Sequence, residues 1–380
     1  MKKIMFLTGT RADYGKIKSV IKKLDETNDF KTYIYVTGMH LNEKFGSTYK
    51  AIQKDGFKNI FLSKPVQEYV TMDIALAENI IQLSEYVKMI KPDLILVHGD
   101  RLEALAGAIV GAFNNIYVAH IEGGEVSGTI DESIRHAISK LSHFHFVSSV
   151  KAKQRLIQMG ENKNNIYVTG SPDIDIMLSE NLPLLDDVKK YYDIEYESYA
   201  ILIYHPVTTE LSNLKNDTKI LINGLKKTND NFIAIYPNND MGNEIIMNEY
   251  NKLRINNKFK FFPSIEFEKF LTLLKNAKYI IGNSSAGIME SGIYGIPSIN
   301  IGDRQKGRYD DKKVLNIQSI NYEENNILRA INNIENYRLA NNFFGKGNSS
   351  ELILKELCKK SFWNNDVQKN FYDLNLKNIR

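Results

Sequence analysis

Two clusters of acidic residues follow short apolar runs in this 380-residue chain. Residues 94–97 lead into His98-Gly99-Asp100-Arg101, and residues 116–119 into His120-Ile121-Glu122-Gly123-Gly124-Glu125, with Asp131 closing the stretch. The apolar runs read as buried strands, and carboxylates at strand ends beside glycines are poor core fillers. In an open α/β sheet the crevice beyond the carboxyl strand ends is where ligands bind. Positioned acids of this kind give and take protons. The pattern therefore points to proton chemistry on a substrate that other segments must hold.

Anion-binding candidates lie on both sides of this stretch. The turn Gly9-Thr10-Arg11-Ala12-Asp13-Tyr14-Gly15-Lys16 looks like a phosphate loop but fails the Walker pattern, because Ile17 stands where a hydroxyl for Mg²⁺ is needed. G-x-G-x-x-G is absent too, which argues against both NTP hydrolysis and NAD. What remains is a glycine turn entering a helix, with Arg11 and Lys16 near an N-terminus that favours an anion. Further on, Ile280-Ile281-Gly282-Asn283-Ser284-Ser285-Ala286-Gly287-Ile288 reads as a strand, a small polar turn and a helix start. Its N–H groups and two hydroxyls could face a ligand, or Ser could simply cap the helix. Glu290, about one and a half turns into that helix, could grip a ribose diol, and Arg304 could bind phosphate. His205 and Asn238 stand at the ends of two more strand-like runs.

Other chemistries are disfavoured. His143-Phe144-His145 alternates on a strand-like run, which fits packing, and no Cys/His/Asp array has zinc spacing, so no metal is expected. Neither Ser284 nor Ser285 lies in G-x-S-x-G, so a serine nucleophile is not expected.

The elements that must carry these residues alternate. Strand-like runs at 4–8, 32–37, 59–62, 94–97, 117–121, 144–147 and 166–169 are separated by helical patterns near 16–24, 73–90, 101–113, 132–141 and 152–159. After a polar, irregular stretch at 182–197, strand-like runs resume at 199–204, 232–236, 259–262, 279–281 and 298–301. Such β-α alternation predicts mostly parallel sheets covered on both faces. We expect an α/β chain with a hinge near 175–195: residues 1–180 carry the acids and 195–345 bind the nucleotide. A helical tail, 346–380, is expected to pack back on the first domain.

The 380 residues exceed one comfortable core, in keeping with two domains. Net charge is +4, with basic residues scattered through helical patterns, so no nucleic-acid partner is expected. The single cysteine, Cys358, rules out an intrachain disulfide and fits a reducing compartment. Residues 4–7 are too short for a signal peptide, and no run approaches the ~20 apolar residues of a membrane span. A cytoplasmic protein without membrane contact is expected.

Four segments together resemble the UDP-N-acetylglucosamine 2-epimerases, in particular their hydrolysing branch: Gly9-Thr10-Arg11-Ala12-Asp13-Tyr14, His98-Gly99-Asp100-Arg101, His120-Ile121-Glu122-Gly123-Gly124-Glu125, and residues 282–288. Non-hydrolysing relatives have Arg-Pro-Glu where this chain has Arg11-Ala12-Asp13, and relatives can carry serine at the position of Gly15. The resemblance implies two Rossmann-like domains in a GT-B-like arrangement, with the active site in the cleft between them. It implies Asp100, Glu122 and Asp131 as the carboxylates working on the sugar, with His205 close to the phosphates. Arg11, Arg101, Ser284, Ser285, Glu290 and Arg304 would hold the nucleoside diphosphate, and Lys16 and Asn238 would lie near sugar and phosphates. Glu125 then reads as a turn residue. No cofactor is implied, and a homodimer or homotetramer is.

The implied reaction is elimination of UDP to a glycal followed by hydration, giving a free 2-epimeric sugar for sialic acid synthesis. Open alternatives are a 2,4-diacetamido-2,4,6-trideoxy sugar nucleotide as substrate (as in legionaminic acid synthesis), a GT-B glycosyltransferase, or a non-catalytic sensor.

Overall fold

The computed structural model describes residues 1–43, 46–65, 71–127, 130–238 and 240–373. The chain separates into two compact units, one formed by Met1–Glu125, Asp131–Leu178 and Phe344–Arg380, the other by Ser179–Phe343 with Val126–Ile130.

Among the described residues, the first unit has seven strands: β1 (Lys2–Thr8), β2 (Phe30–Val36), β3 (Ile60–Leu62), β4 (Leu94–His98), β5 (Tyr117–Ile121), β6 (Phe144–Val147) and β7 (Ile166–Val168). Its helices are α1 (Arg11–Asp25), α2 (Tyr49–Lys54), α3 (Met72–Ile90), α4 (Leu102–Phe113), α5 (Ile130–Leu141), α6 (Val150–Gln158) and α7 (Asp173–Met177). The strands pair in parallel in the order β3-β2-β1-β4-β5-β6-β7. Ile4, Met5 and Phe6 of β1 and Leu94 to Val97 of β4 are wholly buried, as expected for strands covered on both faces. The order reverses between β1 and β4, so the loops after these strands diverge and leave a crevice at their carboxyl ends. That crevice is where Thr8 and His98 end their strands.

The second unit repeats the plan with α8 (Leu185–Tyr191), β8 (Ala200–Ile203), α9 (Leu211–Lys226), β9 (Phe232–Ile235), α10 (Asn243–Asn251), β10 (Phe259–Phe262), α11 (Phe267–Lys275), β11 (Ile280–Gly282), β12 (Ser298–Ile301), β13 (Ile317–Ile320) and α12 (Glu324–Asn332). Its parallel order is β10-β9-β8-β11-β12-β13, with the reversal between β8 and β11. The edge strand β13 is absent from the sequence reading, because Ile-Gln-Ser-Ile is short and only half apolar. Two Rossmann-like units on one chain make the fold GT-B-like.

After the second unit the chain returns to the first. Helix α13 (Ser349–Leu357) packs on α1, its Ser349 and Ser350 N–H groups bonded to Asp175. Phe362 then stacks on Phe144 with ring centroids 3.8 Å apart. Among the described residues, no helix is long and apolar enough to cross a membrane.

Candidate active site

Register places the acids. His98 pairs with Ile121 across β4 and β5, so the turns holding Asp100 and Glu122 leave adjacent strand ends. The Gly99 N–H donates to the Ile121 carbonyl, and Gly99 has the left-handed φ of 72° that lets the chain turn there. His120 steadies the same turn, with Nε2 2.7 Å from the Gly99 carbonyl and Nδ1 3.1 Å from Ser139 Oγ. Burial pushes the His120 pKa down to about 3, so the ring is neutral and its Nε2–H donates to Gly99.

Asp100 and Glu122 have unlike surroundings. The Asp100 carboxylate, a quarter exposed, is bonded by the fully buried guanidinium of Arg135 from α5. Glu122 is buried, holds a left-handed φ of 64°, and accepts from the Ser171 hydroxyl. Its carboxylate lies 3.4 Å from His98 Nε2 and 3.9 Å from Lys16 Nζ. Lys16 in turn lies 3.4 Å from Asp173, a buried carboxylate at the start of α7. Asp131 sits in the first turn of α5, half-buried, and its charge acts on Arg135 one turn later.

Several sequence expectations change here. The first turn is closed by its own carboxylate: Asp13 accepts from the N–H groups of Gly9 and Thr10 at 2.9 Å each, and from the Thr8 hydroxyl. Thr10 and Asp13 form a capping box, so these donors are used within the chain. Lys16 is not at the helix N-terminus but in the second turn, buried among acids. Arg11 begins α1, and Arg101 precedes α4 with its Nε 3.2 Å from buried Glu103. The Glu103 carboxyl fills the space a Cβ at Gly9 or Gly38 would need, which is why neither position takes a side chain. Glu125, read as a turn residue, follows the Gly123-Gly124 turn and is buried there: it is 2% exposed, accepts from Ser148 Oγ, and its backbone carbonyl accepts from Arg135 Nη1 at 3.1 Å.

In the second unit the switch point gathers His205, Asn238 and the turn after β11. Asn283 is wholly buried and organises them. Its Oδ1 accepts from the His205 N–H at 2.8 Å and its Nδ2 donates to the His205 carbonyl at 2.9 Å. Its own carbonyl accepts from Arg304 Nη1 at 3.2 Å and Gln305 Nε2 at 2.9 Å. Gly282, at φ 137°, has no room for a Cβ against the Ile203 carbonyl, which lets β11 end this close to β8. Ser284 Oγ caps the following turn by accepting from Ala286 N–H. Ser285 opens that turn. The helix expected there does not form as one piece. Two 3₁₀ segments, Ser285–Gly287 and Ser291–Tyr294, replace it, and buried Glu290 stands at the start of the second. Ser291 Oγ bonds the Gly287 carbonyl at 2.9 Å, competing with the α-helical ladder.

Sequence reasoning missed Arg135, Asp173, Ser171, Glu103, Asn283 and Gln305 as parts of these centres. Arg135 had a local signal, four residues after Asp131 on the same helix pattern; Asn283 lay inside a quoted segment. Glu103 and Gln305 stand within two residues of Arg101 and Arg304, whereas Ser171 and Asp173 are brought in by distant elements. Among the described residues, no group of three His, Cys, Asp or Glu side chains is arranged to hold a metal ion.

Acids at one switch point and a polar, arginine-backed turn at the other, on paired Rossmann-like units, characterise a GT-B-like α/β protein. The chain belongs to the UDP-N-acetylglucosamine 2-epimerase family, whose model matches residues 22–358. It is 43% identical to the UDP-N-acetylglucosamine 2-epimerase of Neisseria meningitidis serogroup B, over 99% of this chain and 100% of that one. It is 34% identical to the UDP-N,N'-diacetylbacillosamine 2-epimerase (hydrolyzing) of Legionella pneumophila, over 92% and 94% respectively. The crystal structure of UDP-GlcNAc 2-epimerase from Neisseria meningitidis bound to UDP-GlcNAc shares the fold, with a TM-score of 0.80 at 21% identity over 93% of this chain and 99% of that one.

Proposed function

We propose that the protein is a hydrolysing UDP-N-acetylglucosamine 2-epimerase, converting UDP-GlcNAc and water to N-acetylmannosamine and UDP for sialic acid (nonulosonate) synthesis. The observation that carries this is the contrast between the two strand-end acids. Asp100 lies against a buried arginine, whereas Glu122 shares Lys16 with a second buried carboxylate, Asp173. Neighbouring carboxylates in unlike settings take opposite protonation roles.

The chemistry requires both roles. The C2 proton of an N-acetylhexosamine is not beside a carbonyl, so a base alone removes it poorly. As the C1–O bond to UDP breaks, positive charge develops at C1 and acidifies C2–H. A carboxylate takes that proton, UDP leaves with the bonding pair, and a C1=C2 glycal forms. Water then adds its oxygen to C1, giving up one proton to a carboxylate, while a protonated group returns a proton to C2 on the other face. Asp100, Glu122 and Asp131 are the groups proposed for these transfers. His205 is proposed as a further catalytic residue, close to the phosphates, and Arg11, Lys16, Arg101, Asn238, Ser284, Ser285, Glu290 and Arg304 to hold the nucleotide and stabilise the departing diphosphate.

Incubation with UDP-GlcNAc in deuterium oxide tests this. UDP and free ManNAc with deuterium at C2 are expected; UDP release without C2 label would overturn the mechanism. A second substrate, a UDP- or GDP-linked 2,4-diacetamido-2,4,6-trideoxyglucose of the legionaminic acid route, is favoured by the 34% identical Legionella relative and its named substrate. Comparing kcat/KM on these sugar nucleotides decides between the two.

A further inference from the structure

Arg135 is among the largest fully buried side chains of the protein, with 1% of its surface exposed, whereas its partner Asp100 is a quarter open. A buried guanidinium is stable only when paired and hydrogen-bonded. Here Nη2 is on the Asp100 carboxylate and Nη1 on the Glu125 carbonyl, so the fork joins the turn after β4 to the turn after β5. The charged and titratable groups acting on Arg135 come from every neighbouring element: Asp100, Glu125, Asp131 of its own helix, Arg155 of α6 and His120 of β5. Arg155 bonds the Gly124 carbonyl at 3.2 Å, securing the same turn from the other side. His98, Arg101 and Glu122 flank Asp100 along the strand ends.

This arrangement is one-sided. The cation is buried inside the protein, whereas part of the Asp100 carboxylate reaches solvent. We propose that Arg135 is a positioning residue for proton transfer: clamped by the Glu125 carbonyl, it keeps Asp100 charged, oriented and ready to accept a proton from substrate. The proposal rests on the reading of Asp100 as an acid–base group above. A lysine cannot replace the fork, because its single ammonium does not reach both acceptors.

The test is the pH dependence of kcat/KM for UDP release from UDP-GlcNAc by wild type, Arg135→Met and Arg135→Lys. Losing the cation should move the acid limb of Arg135→Met upward by about one to three pH units, the size of an arginine's effect on an adjacent aspartate. Arg135→Lys should shift it the same way by less. If Arg135→Met does not fold, Arg135→Lys carries the test. Lower activity with an unmoved acid limb would mean that Arg135 only supports the fold, and the proposal would be wrong. If wild type releases nucleotide from no sugar nucleotide, the proposed reaction fails instead, and thermal unfolding decides about Arg135. A carboxylate whose pKa is depressed by folding stabilises above its unfolded value and loses that contribution as pH falls through the folded one. The Tm gap between wild type and Arg135→Lys should therefore narrow on acidification; a constant gap overturns the proposal.

Discussion

The backbone N–H of Asn238 donates to Nδ1 of His205 across 3.1 Å. A ring nitrogen that accepts carries no proton, so the neutral His205 ring has its proton on Nε2. Asn283 holds the peptide groups of the same residue, so both the backbone and the ring of His205 are fixed at the second unit's switch point, with the ring N–H on Nε2. A donor set in advance of reaction is what a developing diphosphate charge requires.

His205→Gln, whose amide nitrogen reaches the Nε2 position, should retain more activity than His205→Asn, which mimics Nδ1. Loss in His205→Asn should be about 10²–10³ in kcat. Steady-state kinetics on UDP-GlcNAc check this, and equal loss in both variants would exclude the donor role.

Asn283→Ala should destabilise the second unit by about 1–3 kcal/mol, because it strips partners from the N–H and C=O of His205. Asn283→Asp should recover only the half that accepts. Urea unfolding of the three proteins measures the difference.

Burial lowers the pKa of His40 to about 4 and of His120 to about 3, from 6.5. A histidine whose folded pKa lies below its unfolded value stabilises fully above the unfolded value, and that contribution is lost as pH falls toward the folded one. Tm should therefore fall on acidification from 6.5 toward 4, each ring adding a slope of up to ~1.4 kcal/mol per pH unit. His120→Gln should flatten the profile in scanning calorimetry at several pH values; an unchanged slope would remove His120 from this account.

Lys369 closes the C-terminal end of α5, its Nζ lying 3.1, 2.8 and 2.7 Å from the carbonyls of Ser139, Lys140 and Ser142 and 2.5 Å from Glu161. A cation there meets both the unpaired carbonyls and the helix dipole. Lys369→Met should cost about 1–2 kcal/mol and speed amide exchange in the last turn of α5, read by hydrogen exchange.

Glu161 gives a second handle on the same contact. Burial alone would raise its pKa, but bonds from His145 and Lys140 and the charge of Lys369 bring it down to about 2. Stability from Glu161 is thus present above its unfolded value and lost as pH falls toward 2. The stability deficit of Glu161→Gln should be full at neutral pH and fade on acidification, in chemical unfolding at a series of pH values.

Local pattern was enough to find most strands and to set Asp100 and Glu122 at strand ends, because a buried parallel strand and the glycine turn that ends it are written in consecutive residues. It was not enough for β13, whose four residues form a strand only because β12 supplies an edge. Nor did it show the broken helix after β11, where Ser291 and the glycines decide against a regular ladder. The partners of the acids were further from reach. Arg135 meets Asp100 across 35 positions, Ser171 meets Glu122 across 49, and Asp173 meets Lys16 from another helix. Residue type and spacing thus determined which carboxylates stand at strand ends. Only the tertiary structure decided what surrounds each, because strand order and helix packing choose which distant charges share a buried, poorly screened space.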